Sequence, residues 1–259
     1  MPFGSEISHT PGLTLFERWY IRLLGVPILG LRVRARTILP LVRQMRAPRR
    51  IVDAGSGRGV MTMACARLFP DAEVIGIDLL EEQNDTNNRI ARRLGLKNAR
   101  FKTFDALKVN VLGTFDLIIS CDTLEHIEDD LSVVRMFYQA LTPGGHLVVH
   151  VPHLTRNLFG WHRENWMDIE GHVRPGYTRD SLTNLLTQGG LSVVSCQYNY
   201  NSLETLANDI SKLITGAKQA NKGLYALSFP LLMLIAAIGK SYRPKRDGSG
   251  LVALAKRDH

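Results

Sequence analysis

The sequence predicts an α/β fold built on a largely parallel sheet. Three observations carry this. The segment IVDAGSGRGVMTMACARLFPDAEVIGID, from Ile51 to Asp78, reads as strand, glycine-rich turn, helix and strand. Further apolar runs near 99–104, 115–120 and 146–151 follow, with helical stretches between them, and crossovers of that length favour parallel pairing. Hydrophobic residues make up 45% of the 259, enough to fill one core.

Taken in order, residues 1–48 read as a helical N-terminal extension or cap, with Pro40 and Pro48 marking its breaks. The main domain then spans 49–259. Its first strand is expected at 51–54, a helix at 59–69, a strand at 73–78, and a helix at 81–94 closed by Gly95. Strands at 99–104 and 115–120 follow. In Leu141 to Val151, LTPGGHLVVHV, a Pro-Gly-Gly turn feeds a strand of branched residues at 146–151. Residues 152–177 form a long loop rich in His, Arg, Trp and Asn, of the structureless kind that is usually functional. Thr178 caps a helix that Gly189-Gly190 stops, ahead of the strand LSVVSC. Residues 199–249 read as a helical insertion before a last strand, Gly250 to Lys256. The loop and the insertion are both expected over the carboxyl edge of the sheet, where open α/β sheets bind ligands.

The glycine turn narrows the ligand. Gly55, Gly57 and Gly59 can take positive φ and lack a Cβ that would hold a ligand off the backbone. Their spacing is G-x-G-x-G, whereas a dinucleotide site is usually G-x-G-x-x-G. Asp53, two residues ahead, repels a diphosphate and suits a cation such as a sulfonium or an ammonium. An NAD-linked oxidoreductase is disfavoured on this spacing. The glycines alone would also suit an ordinary tight turn.

With Asp78 ending the second strand, the pattern resembles the class I S-adenosylmethionine-dependent methyltransferases, whose first motif is (D/E)-x-G-x-G-x-G. The segments KTFDA, FDLIISC followed by DTLEHIEDD, and LTPGGHLVVHV agree with that family in order and spacing, over about residues 50–198 plus the last strand. The resemblance implies a Rossmann-like, seven-stranded methyltransferase sheet with its final antiparallel strand beside strand six, and S-adenosylmethionine as cofactor. It implies that Asp53 and the backbone through Gly55, Ser56, Gly57 and Gly59 hold the methionine portion, with the Cys121 carbonyl region closing on its ammonium. Asp78 would accept both ribose hydroxyls, Leu79 would pack on the adenine, and Asp105, with Ala106 beside it, would accept from the adenine amino group. Plainer roles stand beside these: a helix cap for Asp78 and a turn for Asp105.

On the acceptor side, Asp122, Glu125 and His126 follow strand four at D-x-x-E-H spacing, which places oxygen and imidazole groups within one helical turn. Some methyltransferases acting on quinone-type catechols carry a similar group and hold a divalent ion with it. Three readings stay open: a divalent cation on Asp122, Glu125 and His126; general base catalysis by His126, or by Asp122; and a structural helix start. His153 is a further catalytic candidate. His162, Glu164, His172 and Arg174 lie in or beside the same loop, and Trp161 and Trp166 offer it an apolar wall. The run from His172 through Arg174 to Tyr177 resembles the H-x-R-x-x-(Y/F) element of many small-molecule members, where the histidine is often structural.

Charge is unevenly spread. Of the formal net charge of +8, residues 1–50 hold nine arginines against two glutamates. Among them lies LLGVPILGL, Leu23 to Leu31. A second apolar stretch, Leu224 to Gly239, is interrupted by Pro230 and followed by Lys240, Arg243, Lys245 and Arg246. Both fall short of the roughly 20 apolar residues of a membrane span. Apolar surface beside clustered Lys and Arg suits contact with an anionic membrane surface; helices covering the active site, their basic residues solvated, would read the same way. Nucleic acid is disfavoured as a partner, because the strand-four exit CDTL lacks the prolines and aromatic on which a flipped base stacks. Cys65, Cys121 and Cys196 have no metal-like or disulfide-like spacing and read as reduced thiols. The N-terminal residues show no basic region leading into an apolar core, so no secretory signal is expected. The expected function is methyl transfer to a small lipophilic metabolite, most simply at oxygen, in a cytoplasmic protein with possible membrane-peripheral contact. The alternative is a membrane-docking protein that binds the cofactor without transferring the methyl. Acceptor identity and oligomeric state stay open.

Overall fold

The computed structural model describes residues 2–159, 161–164, 171–215, 221–239 and 247–258. The side chains of His162 and Glu164, and all of Trp166, Lys240, Arg243, Lys245 and Arg246, lie outside the described residues.

In chain order the elements are α1 (Leu15–Leu24), α2 (Leu29–Arg43), β1 (Arg50–Ala54), α3 (Val60–Leu68), β2 (Glu73–Asp78), α4 (Glu81–Arg93), β3 (Ala99–Thr103), β4 (Phe115–Cys121), α5 (Asp130–Ala140), β5 (Leu141–Pro152), β6 (Thr155–Leu158), β7 (Trp161–Glu164), α6 (Arg179–Gln188), β8 (Ser192–Asn199), α7 (Ser202–Thr215), α8 (Lys222–Gly239) and β9 (Gly250–Lys256). Seven strands form one sheet in the order β3-β2-β1-β4-β5-β9-β8. The first five pair in parallel, and β9 runs antiparallel between β5 and β8. The order reverses between β1 and β4, and such a switch point opens a crevice at the carboxyl ends of the strands.

Period-two alternation splits the core. Val52, Ile118, Leu147 and Val149 face one side and pack with Val133, Phe137, Leu182 and Leu186 of α5 and α6. Ile51, Leu117, Ile119 and Val148 face the other and pack with Ile38, Val42, Met63 and Ile90 of α2, α3 and α4. A third cluster ties Leu29 of α2 to Ala207 of α7 and to Phe229, Leu232 and Ala236 of α8.

Four expectations are corrected. Pro40 does not break its segment but lies inside α2, near the last turn. Pro230 does not interrupt its segment either, and α8 runs through it. Proline there strips the Ala226 carbonyl of its helical donor, and the Tyr20 hydroxyl donates to that carbonyl instead, at 2.6 Å. α8 is long and apolar enough to cross a membrane by length and composition alone. The loop expected at 152–177 is not structureless, because β6 and β7 pair there as an antiparallel hairpin. β5 begins at Leu141, since pairing to β4 continues through the Pro-Gly-Gly turn with a shift of register.

Candidate active site

The turn after β1 is shaped by two amides. The backbone N–H groups of Gly55 and Ser56 both donate to the Ile77 carbonyl at 2.9 Å, which folds the turn over the end of β2. Gly55 has φ +80°, and a Cβ there would sit 2.2 Å from Thr123 Oγ1. Gly57 has φ +48°, and a Cβ there would meet nothing within 4 Å: this face of the turn is open. The Gly57 N–H donates to Asp78 Oδ2 at 2.8 Å and the Leu80 N–H to Asp78 Oδ1 at 3.1 Å. Asp78 is thereby aimed across the crevice with lone pairs to spare. Leu79 beside it is 70% exposed. Asp105 caps the short 3-10 helix that follows β3, its Oδ1 accepting from the Leu107 N–H at 2.9 Å, with Ala106 next to it. The Ser56 hydroxyl is buried without a partner.

Asp53 lies beneath this turn, 1% exposed, with Thr62 Oγ1 donating to its Oδ2 at 2.6 Å. Burial pushes its pKa up to about 6; the hydrogen bond from Thr62 opposes the shift and Asp78 adds to it. The half-buried Cys121 ends β4 on the opposite wall of the crevice, and burial pushes its thiol pKa up to about 12.

The acceptor-side residues part into two groups. Asp122 leaves β4 with φ +54°. Its carboxylate pairs with Arg34 of α2 and accepts from His150 Nδ1 at 2.5 Å. His150 is buried, and burial, then the Arg34 charge, holds its pKa well below the usual imidazole range. It is a neutral donor, so each Asp122 oxygen has a partner. Asp122 does not group with Glu125 and His126, which corrects the expectation of those three as one metal site. Those two gather instead with His172, and the ligand atoms of Glu125, His126 and His172 all lie within 4.8 Å of one another.

Glu125 and His126 sit on the 3-10 helix Leu124–His126. Glu125 is buried, its Oε2 has no partner among the described residues, and burial raises its pKa to about 7. His126 Nδ1 lies 3.0 Å from the Gly171 carbonyl. A carbonyl only accepts, so Nδ1 carries the proton and Nε2 keeps a lone pair. The His172 ring meets His126 edge-on at 4.6 Å, and burial first, then His126 and Lys212, lower its pKa to about 4. His153 is not brought to this group. Its Nδ1 is taken up by Thr155 of its own loop and its ring packs edge-on against Tyr198. Arg174 and Tyr177 clamp Asp130 at the start of α5, Tyr177 donating at 2.8 Å. Trp161 stands in solvent.

A cavity of about 800 Å³ runs from His126, Glu125, Asp122 and Arg34 out to α1 and the start of α8. Ile7, Leu13, Phe16, Tyr20, Ile28 and Leu29 give it apolar walls. Arg34, His150 and Tyr200 were missed as site residues in the sequence. The one signal was His150, a polar residue inside the branched run LVVHV.

Comparison with known proteins agrees with this geometry. The methyltransferase domain family matches residues 31–196. The ubiquinone biosynthesis O-methyltransferase of Methylococcus capsulatus is 38% identical over 100 residues, covering 38% of this chain and 41% of that protein. Phosphoethanolamine N-methyltransferase 3 of Arabidopsis thaliana is 34% identical over 107 residues, 40% of this chain and 21% of that one. The chain thus spans less than half the length of these curated relatives. Among solved structures, geranyl diphosphate C-methyltransferase from Streptomyces coelicolor shares the fold with a TM-score of 0.60 at 16% identity, covering 99% of this chain and 89% of that one. With the family matched across most of the sheet, and the fold shared end to end, the chain belongs to the methyltransferase domain family.

Proposed function

We propose that this enzyme methylates a hydroxyl of a small lipophilic acceptor seated in the cavity beneath α1 and α8. The observation that carries this is the cavity itself: Ile7, Leu13, Phe16, Ile28 and Leu29 give it apolar wall, and polar groups, His126 and Glu125 among them, are interspersed with that wall. The O-methylation named for the Methylococcus capsulatus relative supports oxygen as the target.

The cofactor, when bound, supplies a methyl group on a cationic sulfur. Asp78 would take the ribose hydroxyls on its free lone pairs, Leu79 would offer the adenine a face, and Asp105 and Ala106 would meet its amino edge. The Gly55–Gly59 backbone, with Ser56 Oγ, would hold the methionine end over the buried Asp53 charge. The Cys121 carbonyl region would close on its ammonium. An acceptor hydroxyl in the cavity would receive that methyl group. Its proton would pass to His126 Nε2, which in the neutral ring holds the lone pair because the Gly171 carbonyl fixes the hydrogen on Nδ1. Apolar walls exclude water, which would otherwise solvate the nucleophile.

A second reading has its own observation. Glu125, His126 and His172 offer one carboxylate and two imidazoles close enough to share a divalent cation, and Glu125 Oε2 has no other partner among the described residues. A cation there would lower the hydroxyl's pKa.

Incubation with methyl-labelled adenosylmethionine and a panel of lipophilic phenols and alcohols tests both. Label is expected on oxygen, and His126→Ala should slow turnover roughly 10²–10⁴-fold with cofactor affinity unchanged. Label on nitrogen or carbon, or unimpaired turnover, would overturn the reading. Activity lost to a chelator and restored by added cation would select the metal form.

A further inference from the structure

The mouth of the acceptor cavity is framed by two helices that carry apolar side chains on their outer faces. On α1, Leu15, Phe16, Trp19 and Leu23 are exposed, Leu15 at 87% and Trp19 at 59%. On α8, Leu224, Leu227, Leu231, Leu234 and Ile238 recur at spacings of three and four and are all more than half exposed, Leu227 at 81%. That periodicity makes one stripe along the helix. A second stripe of α8, through Phe229, Leu232 and Ala236, is buried against α2 and α7. The helix is therefore apolar on both sides, with one side already committed to the protein.

The two helices are in contact. Tyr20 donates to the Ala226 carbonyl, the Tyr20 and Phe229 rings are 6.4 Å apart, and Lys222 pairs with Glu17 at 3.3 Å. Phe16 and Tyr20 of α1 and Tyr225 and Ala226 of α8 line the cavity, so the two helices that carry this face also border the cavity. The sequence through and after α8 carries charge of one sign. Residues 210–246 contain seven lysines and arginines and no acid. The acid on α1, Glu17, is already paired with Lys222.

We propose that α1 and α8 form a docking surface for an anionic lipid bilayer, which seats the cavity mouth on the membrane and lets the acceptor enter from the lipid. This rests on the lipophilic acceptor proposed above. Apolar side chains sink into the acyl boundary and the basic residues meet the headgroups. It makes the enzyme peripheral to a membrane.

Co-sedimentation of the full chain with vesicles tests it. The protein should pellet with phosphatidylcholine vesicles containing phosphatidylglycerol, pellet much less with phosphatidylcholine alone, and be released by rising salt. Leu227→Glu with Leu231→Glu should lower partitioning roughly tenfold or more, while calorimetric affinity for adenosylmethionine stays unchanged and reports an intact fold. Leu234→Glu alone, a milder change, should lower it in the same direction. No pelleting at low salt, or unchanged partitioning of the variants, would overturn the proposal. A stable dimer that these substitutions dissociate would also overturn it, by giving the face to a second copy of the chain. The labelling assay with His126→Ala is read without vesicles, so the failure of either idea is visible separately.

Discussion

Asp53→Asn probes the charge on which cofactor binding turns. The carboxyl lies under the glycine turn, held by Thr62 at 2.6 Å, with its pKa raised by burial to about 6. In the free protein it is then about 90% ionised at pH 7 and about 10% ionised at pH 5. A sulfonium or ammonium settling on the turn favours the ionised form and draws the pKa back toward the ordinary carboxylate range. At pH 5 binding must expel a proton that is already gone at pH 7. Affinity should therefore fall about tenfold, roughly 1.4 kcal/mol, between those two values. Asparagine keeps an acceptor for Thr62 and carries no charge, so the variant should bind more weakly at pH 7 and lose this slope. Folding without ligand runs the other way. A raised carboxyl pKa means that the folded chain holds the proton more tightly than the unfolded chain. That stabilisation is complete below about pH 4 and is lost as the pH climbs through about 6. Asp53→Asn lacks this loss and should melt no lower than the natural protein at pH 7. Titration calorimetry across the range, with melts alongside, checks both. A variant that keeps the natural affinity and the natural slope refutes the reasoning.

Other substitutions follow from the same geometry. Asp78→Ala removes the acceptor of the Gly57 N–H together with the ribose contact. Two charge-assisted hydrogen bonds at roughly 1.5–3 kcal/mol each put the loss of adenosylmethionine affinity at a hundredfold or more, and near-natural calorimetric affinity would move the ribose elsewhere. Asp122→Ala leaves Arg34 without its carboxylate and the His150 Nδ1–H without its acceptor. It should cost about 3 kcal/mol in urea unfolding, and a cost below about 1 kcal/mol would mean the cluster is not structural. Gly55→Ala forces a side chain onto φ +80° and against Thr123. It should lower the melting temperature, and adding Thr123→Ala should recover the steric part alone.

The unit from β1 to β2 was legible almost residue for residue, because every signal in it is local: a period-two apolar run, glycines where φ is positive, and a carboxylate at the strand end. The D-x-x-E-H segment was legible as a place but not as an arrangement. Asp122 finds its partners 88 residues back at Arg34 and 28 residues on at His150. No local pattern distinguishes a carboxylate so engaged from a free base. The prolines failed for the same reason. Proline breaks a helix when the carbonyl it orphans stays unsatisfied, and for Pro230 that carbonyl is answered from α1, by Tyr20. The apolar run of α8 had too little polarity to show which side faced the protein. Only its neighbours, Leu29 and Ala207, decide that.

Those distant partners also explain why the N-terminal helices belong to the site. Arg34 comes from α2, Asp122 from the end of β4 and His150 from β5. Tyr200, whose hydroxyl donates to the Gly30 carbonyl at 2.9 Å, follows β8. Two residues after Arg34, Arg36 reaches the buried Glu204 of α7 at 2.5 Å. Each pair joins α2 to an element of the sheet edge or of the helical insertion, and each would leave a charge or a polar group stranded if α2 moved away. Leu29 and Ile38 on the same helix are buried, in the cluster with α7 and α8 and in the core respectively. α2 is thus held by its charges and its apolar face together, and it carries α1 as one wall of the cavity. A change at the outer face of α1 can then reach the chemistry by a short path, through α2 to Arg34 and from Arg34 to Asp122, three residues from Glu125.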